Sequence, residues 1–235
     1  MSCTQHLHDL RVAPPVVLPS LLLCDFGNLE REVRQLEAAG VRGLHLDVMD
    51  GHFVPNMTYG LTMVSTLRGI TDLPLDVHLM ISNPGEYLKK YVDAGADLLT
   101  IHAEAVDDPR PLLEEIRSLG AGAGLAINPP TSVASIEAAL PLCDLVLAMS
   151  VMPGFGGQAF DDVALEKLRD LRTKISAETL LEVDGGVNTS TIAACGLAGA
   201  QLLVVGSAIF REPNYAQAIN QLTQLASSPN SEPNP

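Results

Sequence analysis

Two histidines and two aspartates fall at or near the ends of three apolar runs in this sequence. Alternate side chains of a β-strand share a face, so His45 and Asp47 lie together on one run, while His78 and Asp184 belong to two later runs. Imidazole nitrogens and carboxylate oxygens are ligands that suit zinc, iron(II), manganese or cobalt. The sequence therefore predicts one divalent metal ion per subunit, bound by these four side chains, provided that the three strand ends converge.

The two aspartates offer acid–base chemistry as well as metal ligation. A substrate between Asp47 and Asp184 can lose a proton next to its carbonyl to one carboxylate and gain a proton from the other. The metal would act as a Lewis acid where negative charge develops on the resulting enediolate. Inversion at a carbon needs one proton donor on each face of the planar intermediate, and two carboxylates meet that need. The alternative, that each carboxylate only ligates the metal, remains open.

Glycines cluster in three loops that follow the last three apolar runs. Glycine lets the backbone approach a ligand closely and present its N–H groups, and the final loops of α/β barrels often hold a phosphate in this way. One such pair alone usually marks an ordinary turn. Three successive loops favour a phosphate-binding cradle, whose glycine and serine residues are Gly154, Gly156, Gly157, Gly185, Gly186, Gly206 and Ser207.

Other residues near the predicted strand ends suggest an apolar wall around the reacting centre. Met49, Met80 and Met149 either fill the core, as methionine usually does, or cap the centre and exclude water from it. Ser20 either donates a hydrogen bond to the substrate or stabilises a turn. The lysines all lie on predicted helices, which disfavours a Schiff-base aldolase and an aspartate–lysine decarboxylase.

Eight apolar runs alternate with eight helical segments along the chain. Both faces of the strands are apolar, which is typical of a parallel sheet covered by helices, and the series predicts a single (β/α)8 TIM barrel with its active site at the carboxyl ends of the strands. The predicted strands are 16–23, 43–48, 75–80, 98–102, 123–127, 144–150, 180–184 and 202–205, and the predicted helices are 28–39, 61–68, 83–94, 110–119, 133–140, 163–175, 189–197 and 215–226. The barrel domain would span 16–226, between a flexible N-terminal arm at 1–15 and a disordered tail at 227–235.

Composition and charge limit the class of protein. The chain has 235 residues and a formal net charge of −14, which argues against binding to nucleic acid or an anionic membrane. A phosphorylated metabolite remains possible, because backbone N–H groups can bind it. Apolar runs are too short to span a membrane. The four cysteines are scattered and no signal peptide is evident, which favours the cytoplasm.

The motifs together resemble those of the ribulose-phosphate 3-epimerase family over nearly the whole chain. The segments that carry the resemblance are 19–22 (PSLL), 45–56 (HLDVMDGHFVPN), 78–80 (HLM), 153–158 (PGFGGQ), 183–186 (VDGG) and 206–207 (GS). The resemblance implies a metal-dependent TIM barrel that interconverts D-ribulose 5-phosphate and D-xylulose 5-phosphate. It implies zinc or iron(II) as the usual metal, with Asp47 and Asp184 as the acid–base pair, and a homo-oligomer, either a dimer or a hexamer. The residues implied to contact substrate are Ser20, His78, Gly154, Phe155, Gly156, Gly157, Gly185, Gly186, Gly206 and Ser207.

Two alternatives stay open at this stage. The same chemistry would serve a 3-epimerase of a 6-phosphohexulose such as allulose 6-phosphate, which activity on both sugars would distinguish. A barrel without catalysis that only binds sugar phosphate is the other alternative. The presence of both Asp47 and Asp184 argues against it, because binding alone would not need the pair.

Overall fold

Eight parallel strands form the centre of the molecule in the computed structural model, which describes residues 10–11 and 15–227. The strands alternate along the chain with helices and short 3₁₀ turns. The strands are β1 (Val16–Pro19), β2 (Leu44–Met49), β3 (Leu75–Met80), β4 (Leu98–His102), β5 (Gly122–Ile127), β6 (Leu145–Met149), β7 (Leu180–Asp184) and β8 (Leu202–Val205).

The strand order confirms the predicted TIM barrel. From β2 to β8 each strand pairs in parallel with the next, and β1 pairs with β8, in the order β1-β8-β7-β6-β5-β4-β3-β2. A parallel bridge between Ser20 and His45 joins the remaining edges of β1 and β2. All eight carboxyl ends therefore meet at one mouth, where barrels of this kind hold their active sites.

Within the described chain, seven of the eight predicted helices are present with shifted ends, and one short helix after β8 was not predicted. The α-helices are α1 (Leu29–Ala38), α2 (Leu61–Ile70), α3 (Leu88–Ala94), α4 (Arg110–Ser118), α5 (Val163–Lys174), α6 (Ile192–Leu197), α7 (Ser207–Phe210) and α8 (Tyr215–Ser227). The helix predicted at 133–140 is instead two 3₁₀ turns, Val133–Ile136 and Leu140–Leu142. Pro141 has no backbone N–H, so an α-helix at 133–140 could not continue through it.

The first strand is also shorter than the predicted 16–23, because β1 ends at Pro19. The Ser20 hydroxyl accepts a hydrogen bond from the Leu22 N–H and caps a 3₁₀ turn over Leu21–Leu23. This turn carries Leu22 and Leu23 along the mouth of the barrel.

Side-chain alternation along the strands separates two buried layers. Outward residues such as Leu46 and Val77 pack against the helices in the largest apolar cluster. Inward apolar residues such as Leu18 and Leu147 fill the amino-terminal half of the barrel, together with fully buried Leu10. The inward residues toward the carboxyl ends include both polar groups, such as Asp47 and His78, and apolar ones, such as Met80.

The predicted arm and tail lie almost wholly outside the described residues. Of the arm at 1–15, only residues 10, 11 and 15 are described, and residues 228–235 of the tail are not. Within the described chain, no helix combines the length and apolar character needed to cross a membrane.

Candidate metal centre and active-site cleft

The register of β2 and β3 brings Asp47 next to His78. These residues are direct Cα partners in the parallel pair, and Asp47 Oδ1 lies 3.4 Å from His78 Nδ1. Two residues earlier on β2, His45 places its Nε2 3.5 Å from the same oxygen. Asp184, the last residue of β7, places Oδ2 3.8 Å from His78 Nδ1. The four side chains predicted to bind metal therefore converge.

The donor set fits a single divalent cation. One ligand atom from each of these four residues lies within 4.8 Å of the other three. Ligands about 2.1 Å from a tetrahedral ion are about 3.4 Å apart, close to the separations above. The side-chain atoms His45 Nε2 and His78 Nδ1 are both buried without a hydrogen-bond partner. A cation would satisfy two nitrogens that the protein itself leaves unpaired.

Asp76 determines which nitrogen His45 offers. Its Oδ2 lies 2.6 Å from His45 Nδ1 in a buried contact. A carboxylate bound to one imidazole nitrogen orients the ring and leaves the other nitrogen free for a metal. His45 Nε2, which faces Asp47, is therefore the atom available to a metal ion.

A second group of possible ligands, His45, Asp76 and Glu182, is less suited to a cation. His45 Nδ1 is already bonded to Asp76, and Glu182 is fully buried with neither carboxylate oxygen paired. Burial, reinforced by Asp76, raises the pKa of Glu182 well above its usual value. A protonated Glu182 would be a poor ligand, so the four-residue group is the better candidate.

The two aspartates have very different proton affinities. Burial raises the pKa of Asp184 to about 7, and the Asp47 carboxylate adds to the rise. Asp47 is buried too, but His45, with help from His78, outweighs that effect and lowers the pKa of Asp47 well below its usual value. Neighbouring carboxyl groups with separated pKa values are suited to act as base and acid in one reaction.

The two imidazoles differ as well. Burial lowers the pKa of His78 to about 4, although the neighbouring Asp47 carboxylate opposes the fall. His78 is therefore neutral near pH 7 and has a lone pair to offer. For His45, burial is outweighed by Asp76 and Asp47, and the pKa is raised well above the usual value.

Polar neighbours hold Asp47 in one orientation. Ser20 Oγ donates to Asp47 Oδ2 over 2.6 Å, which leaves Oδ1 toward the histidines. The Asp47 backbone N–H donates to the Tyr59 hydroxyl at 3.1 Å, and Thr58 Oγ1 donates to the Asp47 carbonyl at 2.6 Å. The 50–60 loop therefore braces the strand end that carries this carboxylate.

A cleft of about 600 Å³ opens above these groups at the barrel mouth. Asp47 and Asp184 reach its wall, whereas His45 and His78 are fully buried and do not line it. The structure brings most of the predicted site residues to this cleft: Ser20, Met49, Met80, Met149, Gly154, Phe155, Gly156, Gly157, Gly185, Gly186, Gly206 and Ser207. Of the predicted substrate contacts, only His78 lies away from the cleft wall.

The glycine loops form one side of the cleft. No lysine or arginine is among the described residues that line it, so an anion here would depend on backbone N–H groups and hydroxyls. Asn56 Nδ2 donates to the Gly154 carbonyl at 2.6 Å and links the β2 and β6 loops. Phe155, at the tip of the β6 loop, is 57% exposed.

Sequence reasoning missed the polar groups behind the ligands. Asp76 and Glu182 lie two residues before His78 and Asp184, so the alternation of strand side chains already placed them on the inward face. The contacts of His102 with His78 and Glu104 had no comparable signal, because 24 residues separate the two histidines.

Comparisons with known proteins agree with this geometry. Residues 16–210 match the model of the family described as "Ribulose-phosphate 3 epimerase family". The chain is 44% identical to a ribulose-phosphate 3-epimerase of Bacillus subtilis over 210 residues, covering 88% of this chain and 97% of the relative. It is 45% identical to a ribulose-phosphate 3-epimerase of Synechocystis, over 87% of this chain and 91% of the relative. It is 46% identical to the chloroplastic ribulose-5-phosphate-3-epimerase of Arabidopsis thaliana, over 87% of this chain and 74% of the relative.

Solved structures support the fold alone. A 3-hexulose-6-phosphate synthase superimposes with a TM-score of 0.67 at 19% identity, covering 89% of this chain and 99% of the other. Orotidine 5′-phosphate decarboxylase from Pyrococcus horikoshii superimposes with a TM-score of 0.66 at 15% identity, covering 91% of this chain and 100% of the other.

Proposed function

Because the chain belongs to the ribulose-phosphate 3-epimerase family and is an epimerase, we propose that it interconverts D-ribulose 5-phosphate and D-xylulose 5-phosphate by proton transfer at C3. The observation that carries the mechanism is the pair of cleft carboxylates, Asp47 and Asp184, with separated pKa values beside two buried imidazoles. The names of the relatives supply the substrate, and the cleft geometry supplies the chemistry.

The proton transfers use both carboxylates. Asp47 is ionised at neutral pH and takes the C3 proton of one epimer, while Asp184, whose pKa is raised to about 7, gains and loses a proton near neutral pH and delivers it to C3 from the other side. The reverse reaction exchanges the two roles. Ser20 donates to Asp47 Oδ2 and keeps the basic oxygen oriented. Epimerisation follows because the proton leaves and returns on opposite faces of C3.

We propose that His45, Asp47, His78 and Asp184 hold one divalent ion per subunit. Imidazole and carboxylate ligands suit zinc or iron(II) best, and manganese or cobalt are also compatible. When bound, the ion supplies a Lewis acid that stabilises negative charge on the sugar's oxygens during proton removal. The unpaired buried nitrogens of His45 and His78 support this assignment.

The substrate's phosphate is assigned to the glycine loops after β6, β7 and β8. Their backbone N–H groups and the Ser207 hydroxyl suit an oxyanion, since no cationic side chain is among the described lining residues. Met49, Met80 and Met149 line the cleft next to Asp47 and Asp184. Their apolar side chains would limit water at the reacting carbon, with Ser20 and His78 as further candidate contacts.

Metal analysis combined with assays on two sugars tests this proposal. The purified protein should contain about one divalent ion per subunit and should convert ribulose 5-phosphate faster than allulose 6-phosphate. Chelation should abolish turnover, and added zinc, iron(II), manganese or cobalt should restore it. Faster conversion of allulose 6-phosphate would overturn the substrate. Binding of sugar phosphate without exchange of C3 hydrogen, with metal present, would overturn the catalytic proposal.

We also propose that the enzyme works in the cytoplasm as a homo-oligomer, a dimer or a hexamer. Exposed apolar side chains at Phe26 and Met57 are available for a subunit contact near the mouth. The cysteines that the structure describes, Cys24, Cys143 and Cys195, are free and buried, which is compatible with a reducing compartment. Light scattering on the purified protein would give the number of subunits, and a monomer would refute the assembly.

A further inference from the structure

A buried chain of hydrogen bonds extends from His78 away from the cleft. His78 Nε2 lies 2.8 Å from His102 Nε2, and His102 Nδ1 lies 3.1 Å from Glu104 Oε2. The two rings stack with centroids 4.9 Å apart, and Phe53 packs against His102 at 4.9 Å. Both histidines are fully buried, and the Glu104 side chain is 24% exposed.

The far end of this chain is fixed in place. Glu104 Oε1 accepts hydrogen bonds from the Asn128 backbone N–H, at 2.7 Å, and from the Thr131 hydroxyl. Lys167 Nζ donates to the carbonyls of Asn128 and Thr131, each at 2.6 Å, and so holds the segment that anchors Glu104. Both neighbours of Glu104 Oε1 are donors, so that oxygen must act as an acceptor.

With both imidazoles neutral, the hydrogen-bond partners assign one proton to each contact between Glu104 and His78. The Glu104 carboxylate accepts from His102 Nδ1–H. A neutral imidazole carries one N–H, so His102 Nε2 is an acceptor and His78 Nε2 must be the donor between them. His78 Nδ1 is then a bare lone pair, and this is the atom that faces Asp47 and Asp184.

We propose that His102 and Glu104 are positioning residues that hold His78 in the tautomer required to bind the cation through Nδ1. The inference rests on the proposed metal site and extends it by two residues. His45 is oriented by direct contact with Asp76, whereas His78 is oriented through an intervening histidine. Partners of this kind behind a metal ligand typically change metal affinity by ten- to a hundred-fold.

Glu104→Gln is the sharpest test, because the amide would exchange donor and acceptor in each hydrogen bond between position 104 and His78. The Asn128 N–H requires an acceptor, so the amide oxygen takes the place of Oε1 and the NH₂ group faces His102. His102 Nδ1 then accepts, its Nε2–H points at His78, and the His78 proton moves to Nδ1, where it blocks the cation. Thr131→Val is the matched control, since it removes a contact to Glu104 but leaves the acceptor for His102.

Nuclear magnetic resonance of the full-length protein labelled with ¹⁵N-histidine reads the tautomers directly. In the metal-free wild type, we expect protons on His102 Nδ1 and His78 Nε2, and in Glu104→Gln we expect both to move to the other nitrogen. His102→Phe removes the signals of the His102 ring and so identifies them in the spectrum. A wild-type His102 with its proton on Nε2, or unchanged tautomers in Glu104→Gln, would overturn the proposal.

Competition with a chelating dye measures the affinity for Zn²⁺ alone. Glu104→Gln and His102→Phe should weaken binding about ten- to a hundred-fold, whereas His102→Gln, whose oxygen can accept from His78, and Thr131→Val should stay within about three-fold of wild type. Equal losses of Zn²⁺ affinity in Glu104→Gln and Thr131→Val would refute the positioning role of His102 and Glu104. Failure of the wild type to bind Zn²⁺ would instead count against the proposed metal site, while the tautomers would still test that positioning role.

Discussion

Gly186 gives a prediction whose size follows from the geometry of the glycine loops. Its φ is +61°, a left-handed conformation that residues with a Cβ rarely adopt. A Cβ at this position would lie 2.6 Å from the Phe160 nitrogen and 2.8 Å from the Phe160 Cα. Both are backbone atoms, so no side-chain rotation relieves the clash. Gly186→Ala must therefore displace the loop that follows β6 from the loop that follows β7.

Gly120→Ala is a matched control for the backbone conformation. Gly120 also has a positive φ, +92°, but apart from its chain neighbours no atom of the described residues lies within 4 Å of the position that an alanine methyl group would occupy there. An alanine in the left-handed conformation costs about 1–2 kcal/mol, and Gly120→Ala should lower the free energy of unfolding by that amount alone. Gly186→Ala should lower the free energy of unfolding by roughly 3 kcal/mol or more, because the displaced backbone contact adds to the same conformational cost.

Denaturant unfolding and steady-state kinetics on the pair separate the two effects. Gly186→Ala should raise KM for the ketose phosphate about ten-fold or more, because its loop borders the cleft, while Gly120→Ala should leave KM unchanged. Equal unfolding midpoints and equal KM values in the two variants would refute the close approach of the loops and the assignment of the phosphate to this side of the cleft.

Two further predictions concern carboxylates at the carboxyl ends of β2 and β7 and in the loop after β2. Asp47→Asn and Asp184→Asn should each reduce kcat by at least about 10²–10⁴-fold, the usual contribution of a general acid or base, and wild-type turnover in either variant would refute the two-base scheme. Asp50 accepts three backbone N–H groups, from His52, Phe53 and Ser82, each at 2.8 Å, and these outweigh its burial and lower its pKa to about 2. The native pKa lies below the unfolded value, so Asp50 stabilises the fold above about pH 4 and loses this effect as the pH falls through 2. Asp50→Asn should lower the free energy of unfolding by about 1–3 kcal/mol at pH 6. The difference between the urea midpoints of the wild type and Asp50→Asn should narrow at pH 3. A difference that stays constant or widens would contradict this reasoning.

Much of the fold and the convergence of the four candidate metal ligands could be predicted because both depend on short periodicities. Apolar runs broken by glycine and proline marked the strands, and the two-residue alternation placed His45 and Asp47 on the same face. The helix predicted at 133–140 was wrong because an apolar pattern does not distinguish an α-helix from two short 3₁₀ turns.

The residues behind the ligands could not be predicted in the same way. The pairing of His102 with His78 depends on two adjacent strands and on the rotamers of both rings, neither of which a linear pattern specifies. The separated pKa values of Asp47 and Asp184 depend on burial and on neighbours from different strands, so only the folded arrangement reveals which carboxyl is the stronger acid.

Transfer of C3 hydrogen in heavy water tests the central claim most directly. In a single turnover of ribulose 5-phosphate by metal-loaded enzyme in D₂O, one carboxylate removes protium and the other, already exchanged with solvent, delivers deuterium. The xylulose 5-phosphate formed should therefore carry deuterium at C3, as measured by mass spectrometry and proton nuclear magnetic resonance. Product that retains the original protium at C3 would contradict the two-carboxylate mechanism.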